Sequence, residues 1–199
     1  MVYNMKNRKW NTKSNDDRPM NVVLFVSRKK DNKDVPDYTE RRQSYITKEP
    51  IDSQKLKDKF LYFVNQGVTG ETSRMYYSIN ERDEEKIYKD LLRFLIDTPD
   101  FNLCSISSKL AGIAATNTNA KTKHWMFDFD INDECKLQEF CNDIKSIDDS
   151  VMIEIHKTPN GYAIITNHGF DTRTLYQKWD KKTAELKRDD LLCVDWRTK

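Results

Sequence analysis

Apolar positions along this chain fall into short runs whose spacing alternates between two residues and about three and a half, so strands and helices interleave. Asn21-Val22-Val23-Leu24-Phe25-Val26 is a β-rich run and reads as the first strand. Lys29 to Asp37 is polar, closes on Val35-Pro36 and reads as a loop; Ser44-Tyr45-Ile46 reads as another short strand. Asp52 or Ser53 caps a helix carrying Lys55, Leu56, Phe60, Leu61 and Val64, which ends near Gly67. Arg74 to Asn80 predicts a strand. Asp83 then opens a helix with Ile87, Leu91, Leu92, Phe94 and Leu95 at helical spacing, and Pro99 lies just past its end.

Residues 105–122 are rich in Ser, Ala, Thr and Asn, with a helix predicted near 106–115. The run 124–131 predicts a strand, Glu134 to Ile144 a helix with Leu137, Phe140, Cys141 and Ile144 on one side, and Val151 to His156 a strand. Lys157-Thr158-Pro159-Asn160-Gly161 is a turn, so Tyr162 to Thr166 is the returning strand of a hairpin. A short helix over Thr172–Trp179 and a last strand over Leu191–Val194 complete the pattern. The expected fold class is α+β, a mixed and largely antiparallel sheet flanked by helices. A basic leader over residues 1–18 precedes one domain over 19–199.

Composition narrows this. With 33% charged and 37% hydrophobic residues the chain has enough apolar material for a core, and its 22 aromatics argue against disorder. Net charge is +2, but the cations cluster. Residues 1–18 hold Lys6, Arg8, Lys9, Lys13 and Arg18 against Asp16 and Asp17; residues 28–33 hold Arg28, Lys29, Lys30 and Lys33 against Asp31. Such clusters beside an acidic site fit nucleic acid as partner, while residues 1–18 taken alone read first as a solvated, flexible leader. Cys104, Cys135, Cys141 and Cys193 show no zinc spacing and read as reduced, mostly buried thiols. No apolar run approaches the ~18 residues of a membrane span, so no membrane partner is expected. With no signal-peptide pattern, the expected compartment is the cytoplasm of a bacterial or phage-infected cell.

The candidate chemistry lies in Lys123-His124-Trp125-Met126-Phe127-Asp128-Phe129-Asp130-Ile131. In an extended strand Asp128 and Asp130 share one face, with Met126, while Trp125, Phe127, Phe129 and Ile131 take the other. Two carboxylates on one face of a half-buried strand are costly unless a cation sits between them, and Mg2+ or Mn2+ suits oxygen ligands. A polar strand edge in water is the plain alternative. The hairpin tip from His156 to Tyr162 offers a Lys, a hydroxyl and backbone N–H groups to polyphosphate, although most such sequences are ordinary turns. Arg74 and Arg82 flank tyrosines in a strand and read as phosphate ligands, or as strand and helix-entrance residues. His124 and His168 stand alone and read as structural or solvated.

The order of these motifs resembles the archaeo-eukaryotic primase superfamily, in particular small phage and plasmid primase-polymerase-like proteins. The resemblance rests on Trp125-Met126-Phe127-Asp128-Phe129-Asp130, on Thr158-Pro159-Asn160-Gly161-Tyr162-Ala163, on a later acid, and on Tyr77-Ser78-Ile79-Asn80-Glu81-Arg82 upstream. It spans roughly residues 70–195 and implies an RRM-like catalytic core. It further implies Asp128 and Asp130 as metal ligands, with Glu185 or Asp195 as the third and a preference for Glu185, because that choice leaves the strand 191–194 inside the fold. Arg74, Arg82, His156, Lys157, Asn160 and Gly161 would contact nucleotide. Ala163 stands where the family has a histidine, and His156 across the hairpin is the substitute within reach.

The expected function is therefore nucleotidyl transfer in replication, with nucleoside triphosphates, single-stranded or primed nucleic acid and a replication protein as partners. Two alternatives remain. One is a degenerate phage accessory or inhibitor protein that binds nucleic acid, nucleotide or a partner without turnover. The other is a metal-dependent nuclease using the same carboxylates.

Overall fold

Alternation within Asn21–Ser27 (β1) sends Val23 and Phe25 to one side of the strand and Val22, Leu24 and Val26 to the other. That division organises the first half of the chain in the computed structural model, which describes residues 16–199. β1 pairs antiparallel with Arg41–Thr47 (β2) and with Thr72–Ser78 (β3), and β3 pairs antiparallel with Leu191–Thr198 (β8), giving the order β2-β1-β3-β8. Gln54–Asn65 (α1) lays Leu56, Phe60, Phe63 and Val64 on Val23, Phe25 and Met75. On the other face, Glu84–Asp97 (α2) and Ile106–Ala114 (α3) cover Met20 and Val22 through Ile87 and Ala114. Asp83 caps α2 by accepting from the Lys86 N–H at 3.1 Å.

A second antiparallel sheet has the order β5-β6-β4-β7. Its strands are Trp125–Phe129 (β4), Ile153–Lys157 (β5), Tyr162–Thr166 (β6) and Ala184–Lys187 (β7). Glu134–Ile147 (α4), capped by Asp133, packs Leu137, Phe140, Cys141 and Ile144 on Phe127 and Phe129. Leu175–Lys178 (α5) adds Leu175 to that core. The fold is thus α+β. The expected single mixed sheet is instead two sheets, each wholly antiparallel.

The sheets meet where Met126, Ala163 and Ile165 pack with Leu192, Ile79 and Val194. The chain passes between them twice, through residues 79–124 and through 188–190. One buried polar cluster clamps both crossings. Asn80 Oδ1 accepts from the His124 N–H at 2.7 Å and the Thr122 hydroxyl at 2.9 Å, while its amide donates to His124 O and Asp189 Oδ1, both at 3.1 Å. Arg82 donates to both Asp189 oxygens, at 2.8 and 2.9 Å.

Several expected elements shift. β7 is absent from the sequence reading, because Ala-Glu-Leu-Lys carries too little apolar alternation to stand out. The helix over 172–179 contracts to α5, four residues long. The apolar stripe of α2 is only partly used: Ile87 is buried, whereas Leu92 and Ile96 are 60% and 78% exposed. Cys141 and Cys193 are buried as expected, but Cys104 and Cys135 are exposed. Of the leader, residues 1–15 lie outside the described residues, and Arg18 pairs with Asp16 and Glu49. Among the described residues no helix is long and apolar enough to cross a membrane.

Candidate active site

Beyond the apolar contact the two sheets part, leaving a cleft of about 450 Å3. β4 sets one wall. Its register with β6 and β7 aligns Glu185, Asp128, Ala163 and His156 in a row across the second sheet, and Lys187, Met126, Ile165 and Glu154 in the next. Phe127 and Phe129 anchor the opposite face in the core at 0% exposure, so Asp128 is held toward the cleft. Asp130 lies one residue past the strand end, exposed, with its N–H bonded to Thr183 O at 3.0 Å. Burial first, then the charge of Asp130, raises the Asp128 carboxyl above its ordinary range; Glu185 and Asp190 push the same way and Lys187 opposes them.

The facing wall is basic apart from Glu40, which accepts the Lys29 N–H at 3.2 Å. Antiparallel register places Arg42, Val26 and Arg74 side by side on β2, β1 and β3, and Arg42 and Arg74 line the cleft with Arg28 and Lys30. Arg74 is held from beneath. Asp31 accepts from Arg74 Nη2 at 2.6 Å and from Arg28 Nε at 2.9 Å. Burial alone would raise the Asp31 carboxyl, but the bonds from Arg28 and Arg74 win and lower it. Arg74 Nε is buried without a hydrogen-bond partner among the described residues. Cys193 also lines the cleft, and burial pushes its thiol up to about 11, so it stays protonated at neutral pH.

The structure sorts the expected residues. Asp128, Asp130, Arg74 and Asn160 line the cleft together. Glu185 stands opposite Asp128 in register, but its carboxylate bonds Lys187 Nζ at 2.7 Å and lines a neighbouring groove. Asp195 belongs to the other sheet. It sits opposite the buried Met75 and bonds Arg197 at 3.0 Å, away from the cleft. Arg82 is withdrawn as a cleft residue, because its side chain is 1% exposed and engaged by Asp189. His156 shares Asp128's row but lies two strands away, paired to Glu154 at 2.7 Å.

Side-chain alternation turns Lys157 to the opposite face from His156, where its ammonium meets Asn132 Oδ1 and the Tyr162 ring. Gly161 has a packing role: a Cβ there would stand 2.2 Å from Phe129 O and 3.0 Å from Ile131 N. The glycine lets the hairpin press against the strand end that carries Asp130. His124 bonds Ile79 O at 3.1 Å and His168 bonds Asp148 at 3.1 Å, both in structural positions.

Sequence reasoning missed Asp190, Lys187, Arg28, Lys30 and Arg42 in the cleft. The basic run 28–33 was visible, but nothing local aimed it at Asp128. Among the described residues no group of three or more His, Cys, Asp and Glu side chains is drawn together as a metal cage. Two carboxylates opposite cations are still a recognised donor set for Mg2+, which is commonly held by one or two carboxylates with substrate phosphates and water completing the shell. Compared with known proteins, the chain matches no family model, no curated protein and no solved structure.

Proposed function

We propose that the cleft binds a nucleoside triphosphate with Mg2+ or Mn2+ and catalyses primase-polymerase-type nucleotidyl transfer to a nucleic-acid strand. One observation carries this reading: Asp128 on β4 and Asp130 just past its end share a cleft with Arg42 of β2, Arg74 of β3 and Arg28 after β1, and burial there raises the Asp128 carboxyl. That polarity matches a metal–polyphosphate ligand, whose cation seeks oxygen donors and whose phosphates seek guanidinium groups. Asp128 and Asp130 would hold the metal, with Asp190 nearest in kind as a further acid. The ion would stabilise charge on the triphosphate and activate the attacking hydroxyl. Arg74, oriented by Asp31, and Arg42 would grip phosphate oxygens, and Asn160 on the hairpin would close the mouth.

The test is nucleotide incorporation on a primed single strand with Mn2+. Activity in the wild type and its loss in Asp128→Asn are expected. Equal activity in both removes the proposal.

A second reading has its own observation. Ala163 sits directly opposite Asp128, 2% exposed and packed with Leu192, where the resembled family carries histidine. His156 does not reach into its place. A protein of this kind would bind nucleotide without turnover, seen as saturable metal-dependent triphosphate binding without incorporation.

A further inference from the structure

A second depression of about 570 Å3 runs along β7, the outer strand of the second sheet, and shares Lys187 and Asp190 with the cleft. Lys181 and Arg188 are exposed and, among the described residues, make no salt bridge. Aromatic rings support them instead: Lys181 Nζ lies 5.5 Å from the Tyr176 ring centre and the Arg188 guanidinium 5.3 Å from that of Trp125. Those rings are fixed. Tyr176 donates its hydroxyl to Ala184 O at 2.8 Å, and Trp125 is packed so closely on Gly169 that a Cβ there would meet the indole at 2.2 Å. Of the three acids of the groove, Glu185 is engaged by Lys187 and Asp189 by Arg82, while Asp190 accepts the Leu191 N–H at 2.8 Å.

We infer that this groove is the path of a single-stranded nucleic acid leading to the Asp128 cleft. Two cations without carboxylate partners, one beyond each end of a strand edge and each set over an aromatic ring, suit a charged backbone with unstacked bases. Lys187 and Asp190 stand where the groove opens into the cleft, so a strand end lying there would present its terminal hydroxyl beside Asp128. The inference rests on the proposed nucleotidyl transfer for its purpose. Its binding test is independent of that chemistry.

The test is fluorescence anisotropy of labelled oligo(dT) and oligo(U), without metal or nucleotide, over a range of salt. Lys181→Glu with Arg188→Glu is expected to weaken binding at least about tenfold, and to flatten the salt dependence by about 0.7 in log–log slope for each phosphate no longer neutralised. Lys136→Glu with Lys145→Glu, on exposed positions of α4, is expected to change affinity less than about twofold. Wild-type affinity in the groove variant, equal weakening in the α4 variant, or equal binding of duplex and single strand would each overturn the groove. A wild type that binds strands through the groove yet incorporates nothing would leave the groove standing and remove the transferase reading.

Discussion

Arg82 and Asp189 meet in a two-pronged ion pair, at 2.8 and 2.9 Å, with side chains only 1% and 5% exposed. They come from the two places where the chain crosses between sheets, so this pair and Asn80 fix how one sheet sits on the other. The cleft exists because of that placement.

Removing one partner leaves the other charge buried alone. Arg82→Ala is expected to cost about 3 kcal/mol or more, and Asp189→Ala a similar amount, in urea denaturation. An apolar double variant, Arg82→Met with Asp189→Leu, is expected to recover much of the loss. No loss in the single variants would mean that the sheets are held by their apolar contact alone.

Asp128 should behave as a carboxylate that the fold disfavours when charged. Its folded pKa is raised, chiefly by burial and then by Asp130, so the neutral form is preferred. Below the unfolded pKa of about 3.9 this costs nothing; as pH rises through that value and the folded one, stability is lost. Asp128→Asn is therefore expected to raise the melting temperature by a few degrees at neutral pH, with the gain vanishing in acid. If the site takes Mn2+, the ion should stabilise the wild type and leave Asp128→Asn unmoved. Thermal melts across pH, with and without Mn2+, check both statements.

Asp31 has the opposite sign. Arg28 and Arg74 lower its folded pKa against the raising effect of burial, so its contribution is present above the unfolded value and fades as pH falls through the folded one. Asp31→Asn is expected to lose about 2 kcal/mol at neutral pH, the worth of hydrogen bonds to a partly buried charge. That difference should shrink below a pH of about 4. It should also weaken tripolyphosphate binding, because Arg74 loses its support. Denaturation against pH and calorimetric titration measure the two effects separately.

Gly161→Ala is expected to destabilise by about 1–3 kcal/mol, since the added methyl would meet Phe129 O at 2.2 Å and backbone rather than a yielding side chain. The same change pushes the hairpin from the strand end bearing Asp130, so metal affinity should fall with stability. Gly70→Ala is a useful contrast: a Cβ there meets nothing within 4 Å, and its cost should come from its φ of +83° alone.

The amino-acid pattern by itself settled what is local. Asp83 followed by apolar residues at helical spacing made α2, and Pro159-Asn160-Gly161 between two apolar runs made the β5–β6 hairpin. The period of two put Asp128 opposite in direction to Phe127 and Phe129, because successive strand residues must alternate. It also placed His156 and Lys157 on different faces, although the two read together as one basic tip. What the pattern left open is non-local. β7 has too few apolar residues to show itself, and Glu185 comes to stand beside Asp128 only through pairing with β4. Arg82 and Arg74 look alike in the sequence, yet one is buried in a clamp and the other lines the cleft. Facing of the basic strands toward the carboxylates follows from two chain crossings and a shared apolar patch, and contacts between residues a hundred positions apart leave no period in the chain that could announce them.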